Sequence, residues 1–381
     1  MSTVVFLFSS SVNAREWYIQ PRTTLRTEID DNLRLSPIEK EDVAGFRASF
    51  FSEYGTRTET SNIDFTTLVD VYEYWGQDNL DRVDFDFTVG SDFQITERNT
   101  VGLNGLFVMD TTITSEEDLT GLTQVQSDRE KFNISPHWAY QISDIQAIQL
   151  AYTHEEVEYE GASISLTSYE TDSVYLNYTH QWTEDLQQFA SFTALQYRLS
   201  DFDVETDDYS ITSGFDYRYS ETLKFNALVG VRISENRSNI KGISSEDTTV
   251  GSLFGFGVEK QFELSRIDLS FERSVNPSGR GEFLQADRFK SNISHSLTKH
   301  LEFNVLAAIT RSTSTDEDRD SGRTYYSVEP KLSWRFSRQA SLSGGYRYRM
   351  QEFDSRSDEA VSNGIFMTIN YQWDKFSTNR F

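Results

Sequence analysis

Apolar and polar residues alternate along most of this chain with a period of two. In one clear example Ile63 and Phe65 fall on one face, and Asp64 and Thr66 fall on the other. Successive side chains of a β-strand point to opposite faces, so this pattern predicts a strand that lies between two different environments. The pattern recurs from residue 17 to residue 373 and predicts eighteen strands, with sixteen as the alternative count.

Several of these strands carry carboxylates in their middle. Asp64 and Asp70 lie in one predicted strand, and Asp84 and Asp86 lie in the next. A carboxylate would be costly in the core of a β-sandwich, but it is ordinary where a strand lines water on its inner face. The sequence therefore predicts an all-β fold, a transmembrane antiparallel β-barrel with a wet interior.

Two kinds of connection alternate between the predicted strands. The short ones place a Ser or Thr and then a charged residue after an aromatic strand end, as at Thr96, Thr183 and Ser337. Such a hydroxyl can bond a backbone N–H in a tight turn. The other connections are longer and polar. Short turns on one side and long loops on the other are typical of membrane barrels, where the turns face the periplasm.

The last predicted strand closes the barrel, because an unpaired strand edge cannot exist in lipid. We therefore expect it to pair with the first strand, and its apolar face consists of Ile365, Met367, Ile369, Tyr371 and Trp373. Two prolines, Pro136 and Pro330, fall inside predicted strands. Each removes a backbone donor, so we expect a bulge or weakened pairing at both.

Composition narrows the possibilities further. The chain has 381 residues, 14% of them aromatic, and it has no run approaching the ~18 apolar residues of a transmembrane helix. No linker-like segment divides it, so a single domain is predicted. Cysteine is absent, which excludes disulfides and thiolate metal sites. The net charge of −25 argues against a nucleic-acid partner, because phosphates require clustered cations.

The first fourteen residues, Met1 to Ala14, have the features of a secretory signal peptide. An apolar run, Val4 to Phe8, precedes the small residues of Val12-Asn13-Ala14. The prediction is a signal peptide at 1–14 and a barrel at 15–381. The alternative is that this segment forms a buried first strand.

The sequence offers little evidence of catalysis. No hydrolase, zinc-protease or phosphate-loop motif occurs, and the acidic loop beginning at Asp316 fails the spacing of an EF-hand. His180 and His295 fall on the lipid-facing side, with Ser291 on the same face as His295, but no carboxylate is placed to activate them. We predict no enzyme activity, no cofactor and no metal; an outer-membrane enzyme remains the third alternative.

The predicted inner wall carries charges that could contact a solute. A basic ladder is predicted on the last third of the chain, and an acidic wall on the early strands. A transverse field between them would orient polar solutes. The alternative is that these charges keep the lumen wet and pair locally. The ladder consists of Arg288, Lys290, Lys331, Arg335, Arg347 and Arg349, and the acidic wall of Asp64, Asp70, Asp84 and Asp86.

Three motifs resemble a known family. The runs Trp17-Tyr-Ile-Gln-Pro-Arg, Glu28-Ile-Asp-Asp-Asn-Leu-Arg-Leu and Asn370-Tyr-Gln-Trp are similar to segments of bacterial outer-membrane barrels found with exopolysaccharide and exosortase gene clusters. The aromatic last strand near Phe381 also resembles the closing strand that the barrel-insertion machinery of Gram-negative bacteria recognises.

The resemblance implies both a localisation and a function. The implied localisation is the bacterial outer membrane, in contact with its lipids and lipopolysaccharide. The function is a conduit for polysaccharide export that works with a periplasmic polysaccharide-export protein. The alternative is a general diffusion porin.

Overall fold

The computed structural model describes residues 15–38, 40–115, 127–160, 166–200, 204–240, 243–279, 282–315, 322–354 and 358–380. The predicted signal peptide and the acidic loop at 316–321 lie outside these residues. Helix is confined to two short elements of the described part, a 3-10 helix at Asp78–Leu80 and α1 at Thr112–Ser115. No helix in the described ranges is long and apolar enough to cross a membrane.

Eighteen antiparallel strands form one closed sheet, and a short nineteenth strand extends its last member. Each strand pairs with its neighbours in chain order, and the last of the eighteen returns to the first. The strands are β1 (Arg15–Asp30), β2 (Val43–Arg57), β3 (Ser61–Tyr74), β4 (Arg82–Thr96), β5 (Asn99–Thr111), β6 (Asp128–Ser143), β7 (Gln146–Glu160), β8 (Tyr169–Thr183), β9 (Leu186–Leu199), β10 (Val204–Ser220), β11 (Leu223–Ile240), β12 (Ile243–Gln261), β13 (Ser265–Ser278), β14 (Glu282–Ser296), β15 (Leu301–Ser314), β16 (Arg323–Arg335), β17 (Ala340–Phe353), β18 (Glu359–Gln372) and β19 (Phe376–Arg380).

The predicted closure is confirmed. Residues of β18 from Gly364 to Gln372 pair with Asp30 to Arg22 of β1. We call this β1–β18 boundary the seam, because neighbouring strands elsewhere in the barrel are consecutive in the chain. After an interruption at Trp373, whose N–H donates to the Pro21 carbonyl at 3.2 Å, β19 continues along the start of β1. Phe381 lies outside the described residues.

The outer surface carries the apolar face of the strands. Ile365 of the closing strand and Val229 of β11 are each 67% exposed, because no residue in the described ranges covers them. Their neighbours on the same faces, such as Met367 and Val231, are exposed as well. In water this surface would be very unfavourable. It is the lipid-facing band expected of a barrel that spans a membrane.

The short turns use the hydroxyl contacts that the sequence predicts. At Thr96 the side-chain oxygen accepts hydrogen bonds from the N–H groups of Arg98 and Asn99 at 3.3 and 3.1 Å. The same kind of bond occurs in four more of the predicted turns, at Thr183, Ser220, Thr298 and Ser337. These five turns therefore share one stabilising contact, which the hydroxyl of a Ser or Thr provides.

Both internal prolines weaken the sheet without displacing it. Pro136 keeps its pairing to Leu103 of β5, but pairing to β7 is interrupted between Ile134 and His137. Pro330 behaves in the same way, paired to β15 and interrupted toward β17. The register is unchanged across each interruption. The predicted weakened pairing is confirmed, and the bulge that was its alternative does not form.

Several strands extend farther toward the long loops than the alternation predicts. The pattern starts β10 near Tyr209 and β12 near Val250, whereas the strands begin at Val204 and Ile243. The extra residues are mostly polar, because this part of the sheet extends above the lipid-facing band. Both faces are wet there, so pairing continues where the alternation ends.

Candidate functional site

The inner wall of the barrel carries the polar face of each strand. On β16, Lys331 and Arg335 alternate with Leu332 and Trp334, whose side chains are exposed on the outer surface. The same alternation puts all ten predicted charged residues on the inner wall. An inward position does not by itself make a residue contact a solute. The role of these ten residues in solute contact therefore stays a prediction.

Half of the predicted basic ladder is engaged in ion pairs within the protein. Arg347 of β17 lies 3.0 Å from Asp30 across the seam, and Arg349 lies 3.1 Å from the same carboxylate. Arg288 of β14 lies 3.4 Å from Glu272. Arg349 is 2% exposed and cannot contact a passing solute. These three residues therefore do not form a continuous track along the wall.

The other half of the ladder remains available to solutes. Lys290, Lys331 and Arg335 form no ion pair with any residue that the structure describes, and Lys290 and Arg335 are exposed. Lys290 lines a cavity of about 950 Å³ on the inner side of β8–β17. Other residues of this cavity wall are Gln181, Asn226, Ser270, Ser327, Glu329 and Arg347. The same wall also carries acids such as Asp216 and Glu259, so acids and bases are mixed there, and such a charged surface can accept water or small polar solutes.

The predicted acidic wall does not stand apart from positive charge. Asp70 lies 2.5 Å from Arg47 of β2, and Asp84 lies 3.6 Å from Arg82 of its own strand. Asp70 and Asp84 face each other directly across β3 and β4. Like charges at opposed positions are destabilising, and the arginines offset this repulsion. The expectation of two separated walls is wrong at these positions.

Two predicted carboxylates have weaker or more distant partners. Asp64 accepts a hydrogen bond from Asn62 at 2.7 Å. Asp86 lies on the same face, next to an ion pair that is not among the predicted wall residues, Arg129 and Asp110 at 2.8 Å. The alternation of β2, β5 and β6 contains the signal for these cations and acids, because Arg47 and Arg129 occupy inward positions. Both signs of charge are thus interleaved around the lumen.

At the extracellular end of the barrel, the segments that follow β1 and β5 contribute to a first cluster of buried apolar residues. The lid, which we define as residues 31–38 after β1, buries Leu33 and Leu35 to 5% and 1% exposure. Ile113 of α1 joins the same cluster from the segment that follows β5. The lid cluster consists of Leu33, Leu35, Val43, Tyr72, Tyr74, Leu80, Ile113, Tyr325 and Ala360.

This cluster spans a wide arc of the wall at the mouth. Tyr325 belongs to β16 and Ile113 follows β5, with β17, β18 and β1–β4 between them around the wall. Strands in a sheet lie about 4.8 Å apart. The cluster includes residues of two segments that leave the wall, the lid and α1, and these cover the ends of the strands between β16 and β5.

A second inward-folded segment lies on the other side of the mouth. The strap, which we define as Ser278, Gly279 and Phe283 at the end of hairpin β13–β14, contacts β9 although three strands, β10 to β12, lie between them. Tyr197 of β9 is fully buried, its ring centroid lies 5.3 Å from that of Phe283, and its hydroxyl donates to the Ser278 carbonyl at 2.9 Å. Thr167 donates its N–H to the Gly279 carbonyl at 2.6 Å.

Gly279 is suited to this close approach. A Cβ at this position would lie 2.6 Å from the Tyr159 ring. A larger residue would require the Tyr159 ring or the strap to move. Below the strap, Arg232 and Asp208 form a buried pair at 3.2 Å. The mouth is therefore narrowed from two sides.

The histidines considered for catalysis have simple partners. His295 is hydrogen-bonded to Ser265 at 2.7 Å, rather than to Ser291. His180 contacts Gln146 at 3.2 Å and packs edge-on against Trp182. Both residues lie near short turns, where amphipathic rings are common in membrane barrels.

No protein-family model matches the sequence, and no curated protein is significantly similar to it. The fold, in contrast, has structural counterparts. OccAB2 of Acinetobacter baumannii is 12% identical, with a TM-score of 0.51 over 94% of this chain and 98% of that one. OpdK of Pseudomonas aeruginosa, solved with vanillate, is 10% identical, with a TM-score of 0.50 over 94% and 99%. OccK9 (OpdG) of Pseudomonas aeruginosa is 9% identical, with a TM-score of 0.50 over 93% and 98%.

These likenesses concern the fold. Together with the closed sheet, the exposed apolar band and the polar interior, they define the class. The protein is an eighteen-stranded β-barrel of the bacterial outer membrane.

Proposed function

We propose that the protein is a passive diffusion channel for small polar solutes. The observation that supports this most directly is that the lid cluster and the strap join strands from distant parts of the wall. A conduit for a long polymer needs a wide mouth, whereas small solutes can pass between inward-folded segments. The interleaved charges below the mouth keep the passage wet.

The solute class that we propose follows from three cations of the inner wall that form no ion pair with a described residue. Lys290, Lys331 and Arg335 favour solutes that carry a carboxylate or another small anionic group. The OpdK structure contains vanillate, an aromatic carboxylate, which is consistent with such a solute in a barrel of this fold. A general diffusion channel with a modest preference for anions is therefore the function we favour.

Export of a polysaccharide lacks comparable support. It rests on the family resemblance of three short motifs, and two of those motifs have structural roles at the seam and in the closing strand. The periplasmic export partner, the polymer and the contact with lipopolysaccharide stay predictions.

Reconstitution in planar bilayers and vesicles tests the proposal. We expect stable single-channel conductance, entry of monosaccharides and small carboxylates, and exclusion of oligosaccharides above a sharp length limit. The triple variant Lys290→Gln, Lys331→Gln, Arg335→Gln should lower the anion-to-cation permeability ratio measured from the reversal potential. The matched control, Arg198→Gln, Arg237→Gln, Arg311→Gln, removes equal charge from the outward-facing surface and should not change the ratio.

Free entry of long oligosaccharides would contradict the proposal and favour the conduit. An unchanged permeability ratio in a correctly inserted triple variant would remove the role given to the three cations.

A further inference from the structure

Three consecutive residues at the end of β1 hold the seam through their side chains. Asp30 accepts from Ser362 Oγ at 2.7 Å, and Asp31 accepts from the N–H and Nδ2 of Asn363 at 2.6 and 2.8 Å. Asn32 donates from Nδ2 to the Val361 carbonyl at 3.1 Å. In other strand pairs a turn or loop connects the two strands. At the seam no chain connection exists, and these side chains take its place.

Asp30 is the centre of this arrangement. Its side chain is fully buried, and it also accepts from Arg347 and Arg349 at 3.0 and 3.1 Å and from the N–H of Asn32 at 2.9 Å. A buried carboxylate is tolerated only with such a set of charged and neutral donors. The opposed residue is Gly364, where a Cβ would lie 2.9 Å from Asp30 Oδ2. Because Gly364 has no side chain, the seam has room for the Asp30 carboxylate.

The same residues also hold the lid. Asn32 donates to the Ser36 carbonyl and accepts from the Ser36 N–H, both at 2.9 Å, which fixes the turn of the lid. Arg349, while bound to Asp30, donates to the Leu33 carbonyl at 3.1 Å. That turn places Leu33 and Leu35 in the lid cluster. Side chains that join β1 to β18 therefore also position the segment that narrows the mouth.

We propose that Asp30, Asp31 and Asn32 form a clasp that couples closure of the barrel to seating of the lid. In this arrangement the lid is held in place only when β18 has paired with β1, because Arg349 and Ser362 reach Asp30 from the far side of the seam. Opening of the seam would release the lid, and a released lid would leave the seam with fewer contacts. This coupling is independent of which solute the barrel conducts.

Thiol labelling provides the test, since the protein has no cysteine of its own. The reporter is the thiol introduced by Leu33→Cys, a buried lid position, in purified protein reconstituted in lipid vesicles. A water-soluble maleimide measures its exposure. Asp30→Asn keeps the shape of the side chain but removes the charge that faces the buried Arg349, and it leaves Arg347 with Glu28 as a carboxylate partner. We expect it to raise the labelling rate by more than about tenfold, and Asn32→Ala to raise it as well.

The matched control is Asp208→Asn, which breaks a buried Arg–Asp pair on β10–β11, far from the seam. It should leave the labelling rate of the reporter unchanged. Resistance of the folded band to SDS without heating verifies that each barrel is closed. Where Asp30→Asn does not assemble, Ser362→Ala decides the question, because it removes a donor to Asp30 from β18 and leaves the Asn32–Ser36 hydrogen bonds in place.

Unchanged labelling in the folded clasp variants would overturn the proposal. Equal acceleration by Asp208→Asn would also overturn it, because the effect would then be general loosening of the barrel.

Discussion

The lid and the strap narrow the same mouth but are held there by different forces. The lid is anchored by charge: Asp30 binds Arg347 and Arg349, and apolar packing follows from that anchor. The strap is anchored by aromatic packing, with Tyr197 against Phe283, and by hydrogen bonds to backbone carbonyls. Arg232 lies 5.9 Å from the Phe283 ring, but its own carboxylate partner belongs to the wall and not to the strap.

The difference follows from the connectivity of the chain. The strap spans strands that are joined in sequence through β10–β13, so their relative register is already fixed by turns. The lid lies beside the seam, where no turn fixes the register of β1 against β18. Directional, charged contacts specify one register better than apolar packing does, and buried polar groups have such a role in other proteins. We infer that ion pairs hold the lid because no turn joins β1 to β18 at the seam.

The largest effect is expected when the strap loses its anchor. Tyr197→Ala removes a fully buried ring and its hydrogen bond to Ser278, which should lower the free energy of unfolding by about 3–5 kcal/mol. The strap should detach and the single-channel conductance should rise. Urea unfolding in lipid vesicles, followed by tryptophan fluorescence, and bilayer recordings measure the two effects.

Tyr175→Ala is the control for this variant. Tyr175 also faces inward, one strand away on β8, but it is only partly buried, bonds Ser191 at 3.4 Å and is not a member of the cluster around Phe283. Tyr175→Ala should lower the free energy of unfolding by less than Tyr197→Ala does, and it should leave the single-channel conductance near the value of the parent protein. If Tyr197→Ala destabilises the barrel without raising conductance, the strap does not narrow the path of the ions.

Most of the wall could be predicted from sequence. Period-two alternation gave eighteen strands and the inward position of Arg347 and Asp70, because a strand in a membrane barrel has one apolar and one polar face over its whole length. Strand ends above the lipid band were predicted poorly, as at Val204. There both faces are wet, and the alternation disappears while the backbone pairing continues.

The inward-folded segments could not be predicted in the same way. Leu33 and Leu35 are two apolar residues in a short loop, and Phe283 is one aromatic residue at a strand end. Their partners, such as Tyr325 and Tyr197, become neighbours only after the barrel has closed. The ion pair between Arg347 and Asp30 could not be predicted for the same reason, because the two residues lie more than three hundred positions apart in the chain.

A smaller change separates stacking from hydrogen bonding at the strap. Tyr197→Phe keeps the ring against Phe283 but removes the donor to the Ser278 carbonyl. We expect a loss of about 1 kcal/mol in unfolding free energy and little change in conductance. A conductance as high as that of Tyr197→Ala would show that the hydrogen bond, rather than the aromatic stack, holds the strap.

The smallest expected effect is the coupling between the two segments. Leu35→Ala should cost about 2–3 kcal/mol, because it empties a fully buried site in the lid cluster. The lid cluster and the strap share no residue, so the double variant Leu35→Ala, Tyr197→Ala should show the sum of the single losses to within about 0.5 kcal/mol. The same unfolding experiment on the four proteins gives this interaction energy. A value well above that limit would mean that the lid and the strap support each other across the mouth. The charged and the aromatic anchor would then act as one structure, and the contrast between them would lose its basis.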